Sequence, residues 1–245
     1  MTEYENKYDY ELDVENDEED SNIQLKIRLG FIRKVYGIIL FQVLITVLAC
    51  ISAIFFPSFQ YFIQVHNEFI IISFITALVT EIMLVCCKSM STSVPLNYIL
   101  LLIFTAAESY LVASLVIIYE SSSVLVCALV TFVMVLGISL YACFTKKDFT
   151  LCGTTLFLLL IGLTCFSLIG IILSRFIKIT LYETFLDCAG VILFGFYLIY
   201  DTQLVIGRNK RYLSEDDYIG AALQIYVDII AIFVRILSLF GKKKK

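Results

Sequence analysis

The 23 residues from Leu151 to Leu173 read LCGTTLFLLLIGLTCFSLIGIIL, without a single charged side chain. At about 1.5 Å of rise per residue, a helix of this length crosses the roughly 30 Å hydrocarbon layer of a bilayer. The short alternating segments of a membrane barrel are absent, so the stretch reads as a transmembrane helix whose backbone groups bond within the segment. Working outward, the same reading applies to Val35–Phe56, Phe69–Cys87, Leu96–Ile118 and Val124–Phe144 before it, and to Leu181–Ile206 and Ile219–Phe240 after it. The only prolines, Pro57 and Pro95, sit at segment edges, where a helix can end. The 245 residues are 60% hydrophobic and 16% charged, with a mean hydropathy of +0.91. One soluble core of this size could not bury that much apolar surface. The expected fold is therefore all-α and polytopic, in a lipid bilayer, and the balance of charge offers no footprint for nucleic acid.

Charge is segregated along the chain. Ten of the 22 acidic residues fall between Glu3 and Asp20, so residues 1–27 are expected to form a disordered, acidic cytosolic tail. An acidic start also argues against a cleavable signal peptide, which needs a basic first region. Arg28, Arg33, Lys34, Lys88, Lys146, Lys147, Arg208, Lys210 and Arg211 flank the segments on one side, against Arg175 and Lys178 on the other. The positive-inside bias then places the N-terminus in the cytosol. Segment 7 either spans or re-enters. Its polar residues Gln224, Asp228 and Arg235 and the final Lys242–Lys245 favour re-entry, which would make residues 242–245 a basic cytosolic C-terminus. Those lysines read either as a dilysine retrieval signal or as a basic anchor at an anionic membrane face.

Cys50, Cys86, Cys87, Cys127, Cys143, Cys152, Cys165 and Cys188 all fall in or beside apolar runs and read as small hydrophobes. Four carboxylates lie well inside segments: Glu81, Glu108, Asp201 and Asp228. Each costs about 2.5–3.5 kcal/mol if ionised at a helix centre, so each needs a partner, a proton or water. Asp201 is five residues from one end of segment 6 and Asp228 nine residues into segment 7, so the two can meet at one depth. Such a pair cannot ionise twice cheaply, and it is expected to share one proton and titrate as a unit. Asp187, fourteen residues before Asp201, shares its helix face. Arg235, seven residues past Asp228, shares that residue's face and reads either as a snorkelling anchor or as the partner of Glu108 or Asp187.

The run IYDTQLVIG at 199–207 and LSEDDYIGAALQIYVDIIAIFVRIL at 213–237 resembles the transmembrane Bax-inhibitor-motif family. FIRKVYGIILFQVLIT, VPLNYILLLIFTAAE and TKKDFT are similar to its lifeguard and Golgi anti-apoptotic branch. The resemblance implies a Bax-inhibitor-type domain over residues 28–241, with six helices around the seventh. It also implies that Asp201 and Asp228 form a pH-sensitive latch in a calcium leak path, contacting calcium only in passing, and that Glu108 matches the family's third-helix glutamate. Glu81 has no such counterpart, and Asp187 stands where the resemblance leads one to expect a small apolar residue.

Three functions compete on this reading. The first is a calcium-leak channel of endoplasmic reticulum and Golgi membranes that lowers store calcium and inhibits apoptosis. It needs no cofactor, and calcium is its permeating ion. The second is a pore-less scaffold for calcium-release channels or apoptotic membrane proteins. The third is an intramembrane aspartyl protease, suggested by Tyr200-Asp201, but the expected GxGD reads Ile225-Tyr226-Val227-Asp228. A zinc hydrolase is disfavoured because the chain has only one histidine, His66. The chain is accordingly expected not to be an enzyme.

Overall fold

The computed structural model describes residues 2–173, 180–207, 213–214 and 216–244, with side chains from residue 22 onward. Each expected span is a helix: α1 (Thr2–Phe55), α3 (Glu68–Cys86), α5 (Leu96–Val116), α6 (Ser121–Phe144), α7 (Gly153–Leu173), α8 (Thr180–Ile206) and α9 (Tyr218–Phe240). Two short helices, α2 (Pro57–Val65) and α4 (Lys88–Thr92), join them at the ends. Pro57 ends α1, because the residue before a proline is pushed out of helical geometry; Phe56 has φ −103° and ψ 103°. The chain is an all-α polytopic membrane protein.

Helix α9 is the axis of the bundle. It touches α1, α3, α5, α6 and α8, and its Ile219, Leu223, Ile225, Tyr226, Ile232 and Leu237 are fully buried. Helix α7 stands apart from the six-around-one expectation. It packs on α8, and only Leu156 and Leu163 along it are buried. Its uncharged sequence is the reason: a side chain that lipid solvates as well as protein does has no need of a neighbour.

The helical backbone of α1 begins at Thr2, inside the acidic stretch. Neither Pro nor Gly interrupts residues 2–29, and carboxylates near a helix N-terminus are favoured by its dipole. One expectation is corrected, that of segment 7. Arg28, the end of α8 and the start of α9 share one end of the bundle: Arg28 Nη2 donates to Leu204 O at 2.6 Å and Nη1 to Leu213 O at 2.7 Å. The opposite end holds residues 242–244. There Glu120 N donates to Lys242 O and Lys244 N to Ile118 O, both at 2.8 Å, and Lys242 Nζ lies 2.9 Å from Glu120 Oε1. Helix α9 runs unbroken between the two ends, so it spans rather than re-enters. Its polar residues are tolerated because they face protein. Arg28 and residues 242–244 therefore lie at opposite faces of the bundle and cannot both be cytosolic. Of the final lysines, Lys245 lies outside the described residues. So do Arg175, Lys178, Arg208, Lys210 and Arg211 of the charge asymmetry.

Candidate functional site

The α8–α9 interface carries the acidic pair. Asp201 and Asp228 are 5% and 4% exposed, and their carboxyl groups lie within reach of each other. Two such groups can share a hydrogen bond only with a proton on one of them. Asp228 Oδ2 is buried and takes no hydrogen bond among the described residues. Tyr197, one turn before Asp201, lies within electrostatic reach of both.

The backbone around Asp201 is held from two sides. Arg28 donates to the carbonyls of Leu204 and Ile206, which α8 itself leaves unpaired at its C-terminus. Gly207 then turns the chain with φ +72°, and a Cβ there would come 2.6 Å from the Arg28 guanidinium. Gln203 binds the α6–α7 loop at both ends of its amide: Nε2 donates to Lys147 O at 2.9 Å, and Oε1 accepts from Phe149 N at 2.8 Å. In that loop Asp148 Oδ1 accepts from Thr150 N and Oγ1. The TKKDFT and IYDTQ motifs, far apart in sequence, are thus one contact. A cavity of about 410 Å³ opens beside it, lined by Thr145, Lys146 and Gln203 among others.

Arg235 pairs with Asp187 rather than Glu108. Its Nη1 lies 3.6 Å from Asp187 Oδ1 and donates to Leu186 O at 3.4 Å. Ser238 Oγ donates to the other Asp187 oxygen at 2.5 Å, and Phe194 lies under the guanidinium at 5.4 Å. Gly190 leaves the room: a Cβ there would meet Arg235 Nε at 2.2 Å.

Glu81 and Glu108 form a third grouping on α3 and α5. They are close enough to interact, and Glu108 is within reach of Tyr226. Beside them runs a buried hydroxyl network: Thr46 Oγ1 bonds Ser109 Oγ at 2.9 Å and Tyr226 Oη at 2.8 Å, while Gln42 Nε2 donates to Thr105 Oγ1 at 3.0 Å. The sequence offered no sign of this network, since single Thr, Ser and Gln residues in apolar runs are unremarkable. Of the six expected site residues, Arg235 and Asp187 thus form an ion pair, Asp201 and Asp228 are buried together on facing helices, and Glu81 and Glu108 are near enough only for their charges to act on each other. Among the described residues no group of three or more His, Cys, Asp and Glu side chains could hold a metal ion, so the aspartate pair offers two carboxyl groups and no cage.

Seven spans, one of them an axial helix that buries an acid pair against its neighbour, define a class of polytopic proteins with intramembrane carboxyl groups. Within that class the particular family is settled by comparison. The chain belongs to the family described as Inhibitor of apoptosis-promoting Bax1, whose sequence profile matches residues 28–245, and it is thus an anti-apoptotic membrane protein by family. It is 34% identical over 218 residues to Protein lifeguard 3 of Homo sapiens, covering 89% of this chain and 70% of that one. Protein LIFEGUARD 4 of Arabidopsis thaliana is 35% identical over 221 residues, covering 88% and 85%.

Proposed function

We propose that this protein is a calcium leak of endoplasmic reticulum and Golgi membranes, closed by the proton that Asp201 and Asp228 share, and that it blunts apoptosis by lowering store calcium. The observation that carries the reading is the burial of both carboxyl groups between α8 and α9, within reach of each other. With one proton the pair holds the two helices together. Without it, two carboxylates repel in a poorly hydrated site, and their oxygens become ligands for a passing hard cation. A second proton removes the charge-assisted bond and also loosens the contact. Arg28 and Gln203 keep α8 in register on the side that the basic flanks mark as cytosolic. The N-terminus lies on that side in this reading.

The test is calcium flux through purified protein in liposomes across a pH series. Wild type is expected to change steeply with pH. Asp201→Asn and Asp228→Asn are each expected to flatten the curve, and the double variant to add little, because the pair acts as a unit. Parallel curves for wild type and both single variants would remove the latch. Absence of flux from folded wild type at every pH would favour the scaffold.

A further inference from the structure

At the end of the bundle opposite Arg28, a cavity of about 420 Å³ opens between α2, the start of α3 and the end of α5. Its polar lining is Gln60, Gln64, Asn67, Ser114 and Lys244, and its walls are the isoleucines Ile63, Ile70, Ile117 and Ile118. The donors are one ammonium and three carboxamides, since Ser114 Oγ donates its hydrogen to Tyr110 O at 2.7 Å, and no carboxylate lines the cavity. The two acidic residues flanking it in sequence are engaged elsewhere: Glu68 with His66 at 2.8 Å, and Glu120 with Lys242.

Lys244 is delivered there by backbone pairing. Its own N–H donates to Ile118 O, and Lys243 bridges antiparallel to Tyr119. Helix α2 forms the outer wall. It buries Ile63 and exposes Tyr61, Phe62 and Val65, the pattern of a short amphipathic helix lying in the headgroup layer. The cavity falls within the usual range of small-ligand sites, roughly 300–1,000 Å³, which leaves room for more than a bare phosphate.

We propose that this cavity binds a phosphate group, with the Lys244 ammonium as its counter-charge and Gln60, Gln64 and Asn67 as its hydrogen-bond donors. The bilayer-level position of α2 makes an anionic lipid headgroup the natural carrier of that phosphate, and dissolved phosphate is the other source with the same chemistry.

The experiment titrates purified full-length protein, in phosphatidylcholine micelles, with short-chain phosphatidic acid and separately with inorganic phosphate. Occupancy is read by native mass spectrometry. Phosphatidic acid is expected to bind saturably, and Lys244→Ala to weaken it about tenfold, the loss of one charge-assisted hydrogen bond. Gln60→Leu and Asn67→Leu should weaken it less, and Lys243→Ala, which removes the same charge outside the cavity, should leave it unchanged. Competition by inorganic phosphate at matching concentration assigns the site to the free anion. Its failure to compete assigns the site to lipid. Equal weakening by Lys243→Ala and Lys244→Ala would reduce the effect to diffuse attraction and overturn the proposal. So would phosphatidic acid binding no better than phosphatidylcholine.

Discussion

Arg235 and Asp187 each retain 20% exposure, so their pairing is neither a surface salt bridge nor a fully buried one. Arg235→Gln leaves Asp187 with Ser238 as its remaining side-chain partner. The expected loss is about 1–3 kcal/mol, below the 3–5 of a fully buried pair broken on one side. Adding Asp187→Asn should recover part of it, because no uncompensated charge then remains. Thermal unfolding in detergent of the three variants checks this, and unchanged melting of Arg235→Gln would show the pair to be inert. The pair was only half legible in the sequence: whole-turn spacings put both residues on faces shared with the aspartates, but left Arg235 between a snorkelling anchor and a partner of Glu108 or Asp187. The same depth arithmetic brought Asp201 and Asp228 together. Arg28 was not legible in this way. It reads in sequence as one more basic flank, and its three carbonyl partners lie 176 to 185 residues away with no side-chain signal of their own. Gly207 carried half of the message, since a glycine just past a helix end marks a left-handed turn. It could not say that an arginine would fill the space a Cβ would take.

At the level of the helix, α7 and α9 have similar lengths and both look apolar, yet they do opposite work. Leu223 of α9 is fully buried, while Leu158 of α7 is 63% exposed. Leu223→Ala should cost about 2–5 kcal/mol by opening a cavity. Leu158→Ala should cost a few tenths, because lipid fills the gap. Denaturation of the two variants in the same micelle would show the difference, and equal losses would contradict the placement of α7 outside the core. Hydropathy located every span within about three residues except the start of α1. It could not rank the spans by burial, because in lipid an outward-facing leucine and an inward-facing one leave the same trace. The polarity of segment 7 held the relevant clue: buried Asp228 and Arg235 need protein around them. The residues that led us to expect re-entry are thus the ones that mark the core.

For the molecule as a whole, an odd number of crossings puts the two ends of the described chain on opposite sides. A tag placed before Asn22 should be digested by protease outside sealed microsomes, and one placed after Lys244 should be protected. Digestion of both would restore a re-entrant α9. The charge rule counts the lysines at this end without asking what holds them. Lys242 neutralises Glu120, and the backbones of Lys243 and Lys244 are tied to the α5–α6 connection. Such bonds between residues more than a hundred positions apart leave no pattern in a sequence.

The central place of α9 sets an order for biogenesis. Helix α9 follows the other six spans in the chain, so the ribosome makes it after them, and five of those six wait in lipid for the neighbour they share. During that interval Asp201 and Asp187 have neither Asp228 nor Arg235 to meet, and Thr46 and Ser109 wait for Tyr226. The nascent intermediate is a loose ring with a polar seam facing membrane, the kind of surface that quality-control factors bind. Delivery of α9 closes the seam in one step.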